Sequence, residues 1–523
     1  APAARTPRAA NLCYRADLIV CYKEISVLAK VGDIYSVFSH RLQQYVACQV
    51  TAIDDAASGS APLAAILQLD WTGDALPDAA AVQAMRPLVC DYYFWNCRHD
   101  HSFANAKVPR HYTLVANVAP LVETAVKSYS GGWHMGDSVY RQRRWEQLDP
   151  ARRQRFKAAS SEEVMVGGQA VRQKTSRIGD DILQAISDLS ELDRLPCLTT
   201  IETRHGSAAL AAYINGNPII NEVQWQSSTE GELDLRNSNV SRLVVHGAGL
   251  RSLRLNEGVS TLILNGAPSP ALRIDDPHAG RFLRLQLSGA LAPFHGLDQL
   301  ARLSLSAMPV VDFDAVAQRF PLLTDLTVWG KPGLASNVAS IARLDRLRSF
   351  TAYELFGYGA GDFPAPAQLP ALSSLCLASL PADAAKAIKA SYKKAAALGL
   401  DLSVTRPRKP EWLAENLDNP FRDWDGRAHI AAAYAKKAAQ AYKKLLATAR
   451  TLDAANDAGT AQAVAQEMVT AYVGVFNQIE RRSSVIETVE RDEIYVALEQ
   501  VLTQVPLPDV AALYALFDRL RDF

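Results

Sequence analysis

Between residues 231 and 408 apolar residues recur in pairs, one residue apart. Leu233 and Leu235, Leu243 and Val245, Leu253 and Leu255, Leu262 and Leu264, and Leu272 and Ile274 start about ten residues apart. Alternation over so short a span predicts a strand with one buried face. Ten residues cannot hold a strand, a helix and two turns, so two such units make one coil of about twenty residues with strands on both sides. Further on the pairs are Leu303 and Leu305, Leu326 and Val328, Phe350 and Ala352, Leu375 and Leu377, and Leu400 and Leu402. Their starts lie 23, 24, 25 and 25 residues apart, which leaves room for a helix on each return leg. Val311 to Phe320, Val338 to Leu344 and Ala382 to Ala397 are the predicted helices. Units of this size cannot bury their apolar face alone, so they stack into a solenoid.

The flanks follow other periods. Residues 14–125 hold short runs rich in Val, Ile, Tyr and Phe, among them Asp33-Ile-Tyr-Ser-Val-Phe, Tyr45-Val-Ala-Cys-Gln-Val-Thr-Ala-Ile and Ala65-Ile-Leu-Gln-Leu-Asp-Trp. They predict a β-rich domain, a small barrel being one form, with Asp54 to Pro62 as a hairpin connection. In Asp180 to Leu192 the residues Ile182, Leu183, Ile186, Leu189 and Leu192 approximate one helical face, and Pro196 stops it. After Pro410 helix formers take over. Helices are expected at His429 to Leu452, Thr460 to Ile479, Arg491 to Leu502 and Asp509 to Leu520, with a turn at Asn456 to Gly459. The fold class is therefore multidomain α/β: a β-rich module at 12–140, a connector at 141–230, a solenoid at 231–408 and an α-helical domain at 409–523.

Composition narrows the function classes. The 523 residues carry 55 Lys and Arg against 55 Asp and Glu, so no overall field favours nucleic acid or a charged membrane surface. No run reaches the roughly 18 apolar residues of a membrane span. No signal-type apolar region follows the basic start, Ala1 to Asn11. Seven scattered cysteines, an odd number, fit a reducing compartment better than a disulfide framework. The expectation is a cytoplasmic protein.

Two resemblances add to this. The solenoid segment resembles the leucine-rich repeat family, although Met308, Lys331, Leu355 and Leu380 stand where that family has Asn after the strand. Lys30-Val-Gly-Asp-Ile-Tyr-Ser-Val, Gln44-Tyr-Val-Ala-Cys-Gln-Val and Val108-Pro-Arg-His-Tyr-Thr-Leu-Val together resemble a β-rich immunity module of bacterial polymorphic-toxin loci. In that family a Lys-x-Gly-Asp turn opens the first strand and a Val-Pro element closes the domain. The whole chain is similar to bacterial leucine-rich repeat proteins labelled gliding motility protein. These resemblances imply a protein that neutralises a toxin by binding it.

Local chemistry offers several candidates. Cys90, Cys97, His99 and His101 are the most metal-like set, two thiols and two imidazoles, but their spacing departs from the usual zinc pattern; a loop with buried cysteines is the competing reading. No Walker loop, nucleophile elbow or dinucleotide fingerprint is present. Gly357-Tyr-Gly-Ala-Gly-Asp lacks a Lys and reads as an inter-repeat loop. Ser227-Ser-Thr-Glu-Gly-Glu232 reads as a polar turn. The run Arg141, Arg143, Arg144, Arg152, Arg153, Arg155 and Lys157 could grip phosphates, or form a solvated helix. In Asn419-Pro-Phe-Arg-Asp-Trp-Asp-Gly426, Phe421 and Trp424 are expected to seal the last repeat and Asp425 to start the next helix.

The outward positions of the solenoid strands remain. Alternation aims Arg302, Ser304, Asp325, Thr327, Trp329, Thr351 and Tyr353 to one face, with Trp329 beside Tyr353. Exposed aromatics with arginine are the usual composition of interaction hot spots. Those seven are the candidate protein-binding residues; a domain folding back over them is the competing reading. No catalytic residue, metal or cofactor is assigned. The expected function is a non-enzymatic protein-binding scaffold whose partner is a protein, a toxin if the resemblance holds. The alternative is a secreted effector with an enzymatic or metal-binding N-terminal module.

Overall fold

The computed structural model describes residues 28–523 apart from 56–61, 110, 124, 131, 134, 228–230, 292, 453–457, 506 and 508. Two compact units result. The first runs to Ala378 and takes in Asp383–Thr405; the second comprises Ser379–Ala382 and Arg406–Phe523.

The first unit opens with an antiparallel sheet of β1 (Asp33–Ser39), β2 (Gln44–Asp54), β3 (Leu63–Gly73), β4 (His101–Asn105) and β5 (Thr113–Asn117), in the order β4-β3-β2-β1-β5. β2 and β3 pair as the predicted hairpin, with Asp54 opposite Leu63; most of the connecting loop lies outside the described residues. The sheet is open, with β4 and β5 at its edges, rather than a barrel. Its first turn is fixed by Asp33, which is buried and accepts from the Lys30 amide (2.8 Å), the Tyr35 hydroxyl (2.9 Å) and Asn117 Nδ2 (2.8 Å). Gly32 takes φ 90° there, and a Cβ would stand 2.6 Å from the Val118 carbonyl oxygen. Glycine is required on both counts.

Two helices follow, α1 (Asp137–Glu146) and α2 (Pro150–Ala158). The helix expected over Asp180 to Leu192 is broken into a single turn, Asp180–Leu183, and a 3-10 segment, Leu189–Arg194. Asp188 starts that second segment by accepting from the Ser190 amide at 2.9 Å, so a side-chain cap interrupts the apolar period.

The parallel sheet begins before residue 231, at Arg177. Among the described residues it has eleven strands in chain order: β6 (Arg177–Ile178), β7 (Thr200–Thr203), β8 (Glu222–Trp225), β9 (Arg242–His246), β10 (Thr261–Asn265), β11 (Arg284–Ser288), β12 (Arg302–Asp312), β13 (Asp325–Ser336), β14 (Ser349–Phe356), β15 (Ser374–Pro381) and β16 (Asp401–Arg408). Register stacks Ile178, Ile201, Val223, Leu243, Leu262, Leu285, Leu303, Leu326, Phe350 and Leu375 into one buried spine. The early coils carry strands on both sides, as their ten-residue period predicts. Glu232–Asp234, Ser252–Arg254 and Arg273–Asp275 form a second, three-stranded sheet. The short and the long repeats share the same continuous main sheet.

Return legs of the long repeats are the helix α3 (Phe313–Arg319), a 3-10 segment at Val338–Arg343 and α4 (Ala382–Ala397). Two devices join the coils without that asparagine, one ahead of the strands and one past them. Hydroxyls just before the strands donate to the preceding rung: Ser241 to the Asn221 carbonyl (3.2 Å), Ser260 to Ser241 (3.0 Å), Thr324 to Ala301 (3.1 Å) and Ser373 to Arg348 (3.0 Å). Past the apolar pair, Ala307, Glu354 and Ser379 take φ of 51°, 53° and 57°, the left-handed conformation that Asn adopts with least cost.

The second unit holds α5 (Ala432–Leu452), α6 (Ala458–Ser483), α7 (Thr488–Leu502) and α8 (Val510–Leu520). All four lie where the helical period places them. Asp509 caps α8 through the Ala512 amide at 2.9 Å. Of the predicted turn, Gly459 falls inside α6, and Asn456 and Asp457 lie outside the described residues. Phe421 and Trp424 belong to this unit's core: Phe421 packs on Trp424, Tyr442 and Phe476. Asp425 does not start a helix; it lies in the 3-10 turn Trp424–Gly426 and accepts both guanidinium nitrogens of Arg408, at 2.7 and 3.0 Å. Among the described residues no helix is long and apolar enough to cross a membrane.

Candidate protein-binding face

Three consecutive strands, β12 to β14, carry all seven outward residues, and the register sorts them into three rungs. Arg302 lies opposite Asp325, Ser304 opposite Thr327 and then Thr351, and Trp329 opposite Tyr353. Neighbouring strands run about 4.8 Å apart, so partners on a rung touch. The indole and phenol do so with ring centroids 4.4 Å apart and planes tilted by 39°. Both rings are half-buried. The Tyr353 hydroxyl sits 3.7 Å from Cys376 Sγ on the next strand, which fixes its ring. The result is a broad, rigid aromatic surface at one end of the face, with hydroxyls beside it.

The other end differs. Arg302 Nη2 donates to the Phe282 carbonyl, and Asp325 accepts the Thr324 hydroxyl at 2.7 Å. The N-terminal part of the unit reaches this end, where the strands begin. Arg41 Nη2 donates to the Gly258 carbonyl at 2.6 Å, its guanidinium lying 3.9 Å from the Tyr140 ring centroid, and Arg144 donates to Asn239 Oδ1. Burial, then the charge of Arg284, push the Arg302 guanidinium below its usual range, with Asp325 and Asp137 acting against them. The arginine end is bordered by the N-terminal part, and the aromatic pair keeps half-open rings.

The remaining candidates are dispersed. Cys90 is buried, which pushes its thiol up to about 12. Cys97 is exposed and lies 3.5 Å from Asp91 Oδ1. His99 Nδ1 meets the Leu88 carbonyl at 3.1 Å, while His101 Nε2 meets Thr51 Oγ1 at 2.6 Å. Among the described residues no three His, Cys, Asp or Glu side chains are grouped to hold a metal ion. Within the basic run, Lys157 pairs with Asp91 at 3.0 Å, Arg155 donates to the Asp193 carbonyl at 2.7 Å, and Trp145 is core. These residues clamp the connector in place. In the glycine loop Asp362 Oδ2 accepts the Gly359 amide at 2.7 Å, an internal turn. Three residues of the Ser227–Glu232 turn lie outside the described residues.

Sequence reasoning named Arg302 but passed over Arg242 and Arg284. Arg242, Arg284 and Arg302 each stand just before an apolar pair, and the register brings Arg284 next to Arg302. That recurrence was a readable signal. His40 and His111, which border the same end from the N-terminal sheet, had none, because their position depends on how two distant segments pack.

No known protein family matches the sequence, and no curated protein matches it either.

Proposed function

We propose that this protein is a non-enzymatic recognition scaffold that binds another protein through the outward face of β12 to β14. The observation that carries the reading is the half-open Trp329–Tyr353 pair, held rigid on adjacent rungs and flanked by Thr327 and Thr351. Rigid aromatic surface loses little conformational entropy on binding, which is why such residues dominate interfaces. The parallel solenoid supports the leucine-rich repeat resemblance, and the Lys30–Asp33 turn supports the immunity-module resemblance at the place where that family opens its first strand. On that basis the partner is a bacterial toxin, neutralised by occlusion.

The test is a pull-down from the source organism with the native chain beside a Trp329→Ala, Tyr353→Ala double variant. A single toxin-like protein retained by the first and lost by the second is the expected result. With the purified partner the double variant binds about a hundredfold more weakly, since two aromatic hot spots each contribute roughly 1.4 kcal/mol or more. A partner indifferent to the double variant would sink the assignment of this face.

A further inference from the structure

At the entry end of the same face the positive charges outnumber the negative ones. On the solenoid side stand Arg281 and Arg284 from one coil, Arg302 from the next and Arg348 two coils further on. On the N-terminal side stand Arg41 and two imidazoles, His40 in the β1–β2 turn and His111 ahead of β5. Asp325 and Asp137 are the acids in this field. Arg302 and Arg41 give hydrogen bonds to carbonyls, and Arg281 stacks toward the Phe282 ring at 5.5 Å. Among the described residues none of the five arginines reaches a carboxylate within ion-pair distance. Like charges gathered on a half-buried surface repel, and an anion placed between them relieves that repulsion.

The positions are built into the fold. Arg284 and Arg302 are register neighbours, so their guanidinium groups share one rung. Arg348 immediately precedes Ser349, which is opposite Asp325 on the next rung. From this row of strand starts, four residues along β13 and β14 lead to Trp329 and Tyr353. A peptide laid along it would meet cations first and the aromatic pair afterwards.

We propose that the segment of the partner received here is acidic: a stretch of Asp and Glu seated between the His40–His111 side and the strand starts, with an apolar residue following onto Trp329 and Tyr353. This deepens the function proposed above and rests on it. The two histidines make the contact pH-dependent. Both imidazoles are exposed yet titrate below their usual value, through partial desolvation by the packed surroundings and then, for His40, the charges of Arg348, Arg281 and Arg302 and, for His111, that of Arg348, with Asp325 opposing. They are neutral at neutral pH and gain charge as pH falls, so an acidic ligand binds more tightly at lower pH.

The experiment uses the full chain and a fluorescein-labelled peptide of eight glutamates and one tryptophan. Its glutamine counterpart and a labelled single-stranded octanucleotide serve as comparisons. The glutamate peptide is expected to bind, with affinity rising as pH is lowered from 7.5 and the two imidazoles gain charge. An Arg281→Glu, Arg348→Glu variant, both sites being exposed, should bind it at least tenfold more weakly with unchanged hydrogen exchange of the β11 to β14 amides. Equal binding of the glutamine peptide, tighter binding of the octanucleotide, or indifference to the charge reversal would overturn the proposal. A partner still captured by the charge-reversed chain but lost by the Trp329→Ala, Tyr353→Ala chain would overturn this inference alone. Peptide binding that follows charge and pH, with no protein captured at all, would sustain the acidic-segment site and sink the function proposed above.

Discussion

Arg427 is the cation of a buried ion cluster in the helical unit, and replacing it by methionine tests how that unit is held together. Its guanidinium donates to Glu490 and Glu493; His429 Nε2 lies 3.1 Å from Glu490, and the Trp424 indole donates to Glu493 at 2.8 Å. Arg427 and Glu490 side chains are 16% and 3% exposed, Glu493 32%. Methionine keeps the aliphatic volume and strands the Glu490 carboxylate. Breaking one side of a buried pair costs roughly 3–5 kcal/mol, and the surviving His429 contact argues for the lower figure, about 3 kcal/mol. Because the chain holds two compact units, a single melting temperature is a poor readout. Hydrogen exchange of α6 and α7 amides is local; about 3 kcal/mol appears there as roughly hundredfold faster exchange.

The pH dependence gives a second check. Burial pushes the Glu490 carboxyl up, but the Arg427 hydrogen bond and charge outweigh it and hold the group below the usual glutamate value. A depressed carboxyl contributes stability above its unfolded pKa, about 4.3, and loses it as pH falls through the folded value. In Arg427→Met the sign reverses: the carboxyl rises above its unfolded value, so the unit gains stability as pH is lowered from 7. The difference between the two proteins therefore shrinks toward pH 5. Adding Glu490→Gln to Arg427→Met should restore most of the loss at pH 7. A loss under about 1 kcal/mol, or no recovery in the double variant, would refute the ion-cluster argument.

Two further outcomes follow from the geometry. Ala307→Gly relieves a left-handed φ of 51° and is expected to stabilise the solenoid by about 0.5–1 kcal/mol, the strain released less the extra freedom of the unfolded chain; denaturant unfolding that shows destabilisation would show the turn carries no strain. Iodoacetamide labelling of the native protein, mapped by mass spectrometry, should reach Cys97 first among the described cysteines. Cys48 and Cys90 should react only after unfolding, since burial pushes both thiols up; early labelling would contradict, for Cys48, the packing of the N-terminal sheet and, for Cys90, that of the cluster around Trp145 and Phe156.

The sequence alone determined what depends on local periodicity. Leu303, Leu326 and Leu375 mark their strands because alternation tells each residue which way to point. The four C-terminal helices follow from apolar stripes that no tertiary contact has to supply. The aromatic pair was legible for the same reason: two strands of known register place position 329 beside 353. What the tertiary structure decided was everything that depends on segments distant in the chain. Strands β6 and β7 are so short, with single inward apolar residues, Ile178 and Ile201, that their neighbours define them rather than any pattern of their own. Phe421 and Trp424 looked like a seal for the repeats; packing put them in the helical core, because Tyr442 and Phe476 offered them aromatic partners there. The convergence of Arg281, Arg302 and Arg348 on His40, and of Arg348 on His111, has no sequence signature either. The arginines recur before their strands, but they meet the imidazoles only because the N-terminal sheet lies against the strand starts of a solenoid that begins sixty residues after that sheet ends.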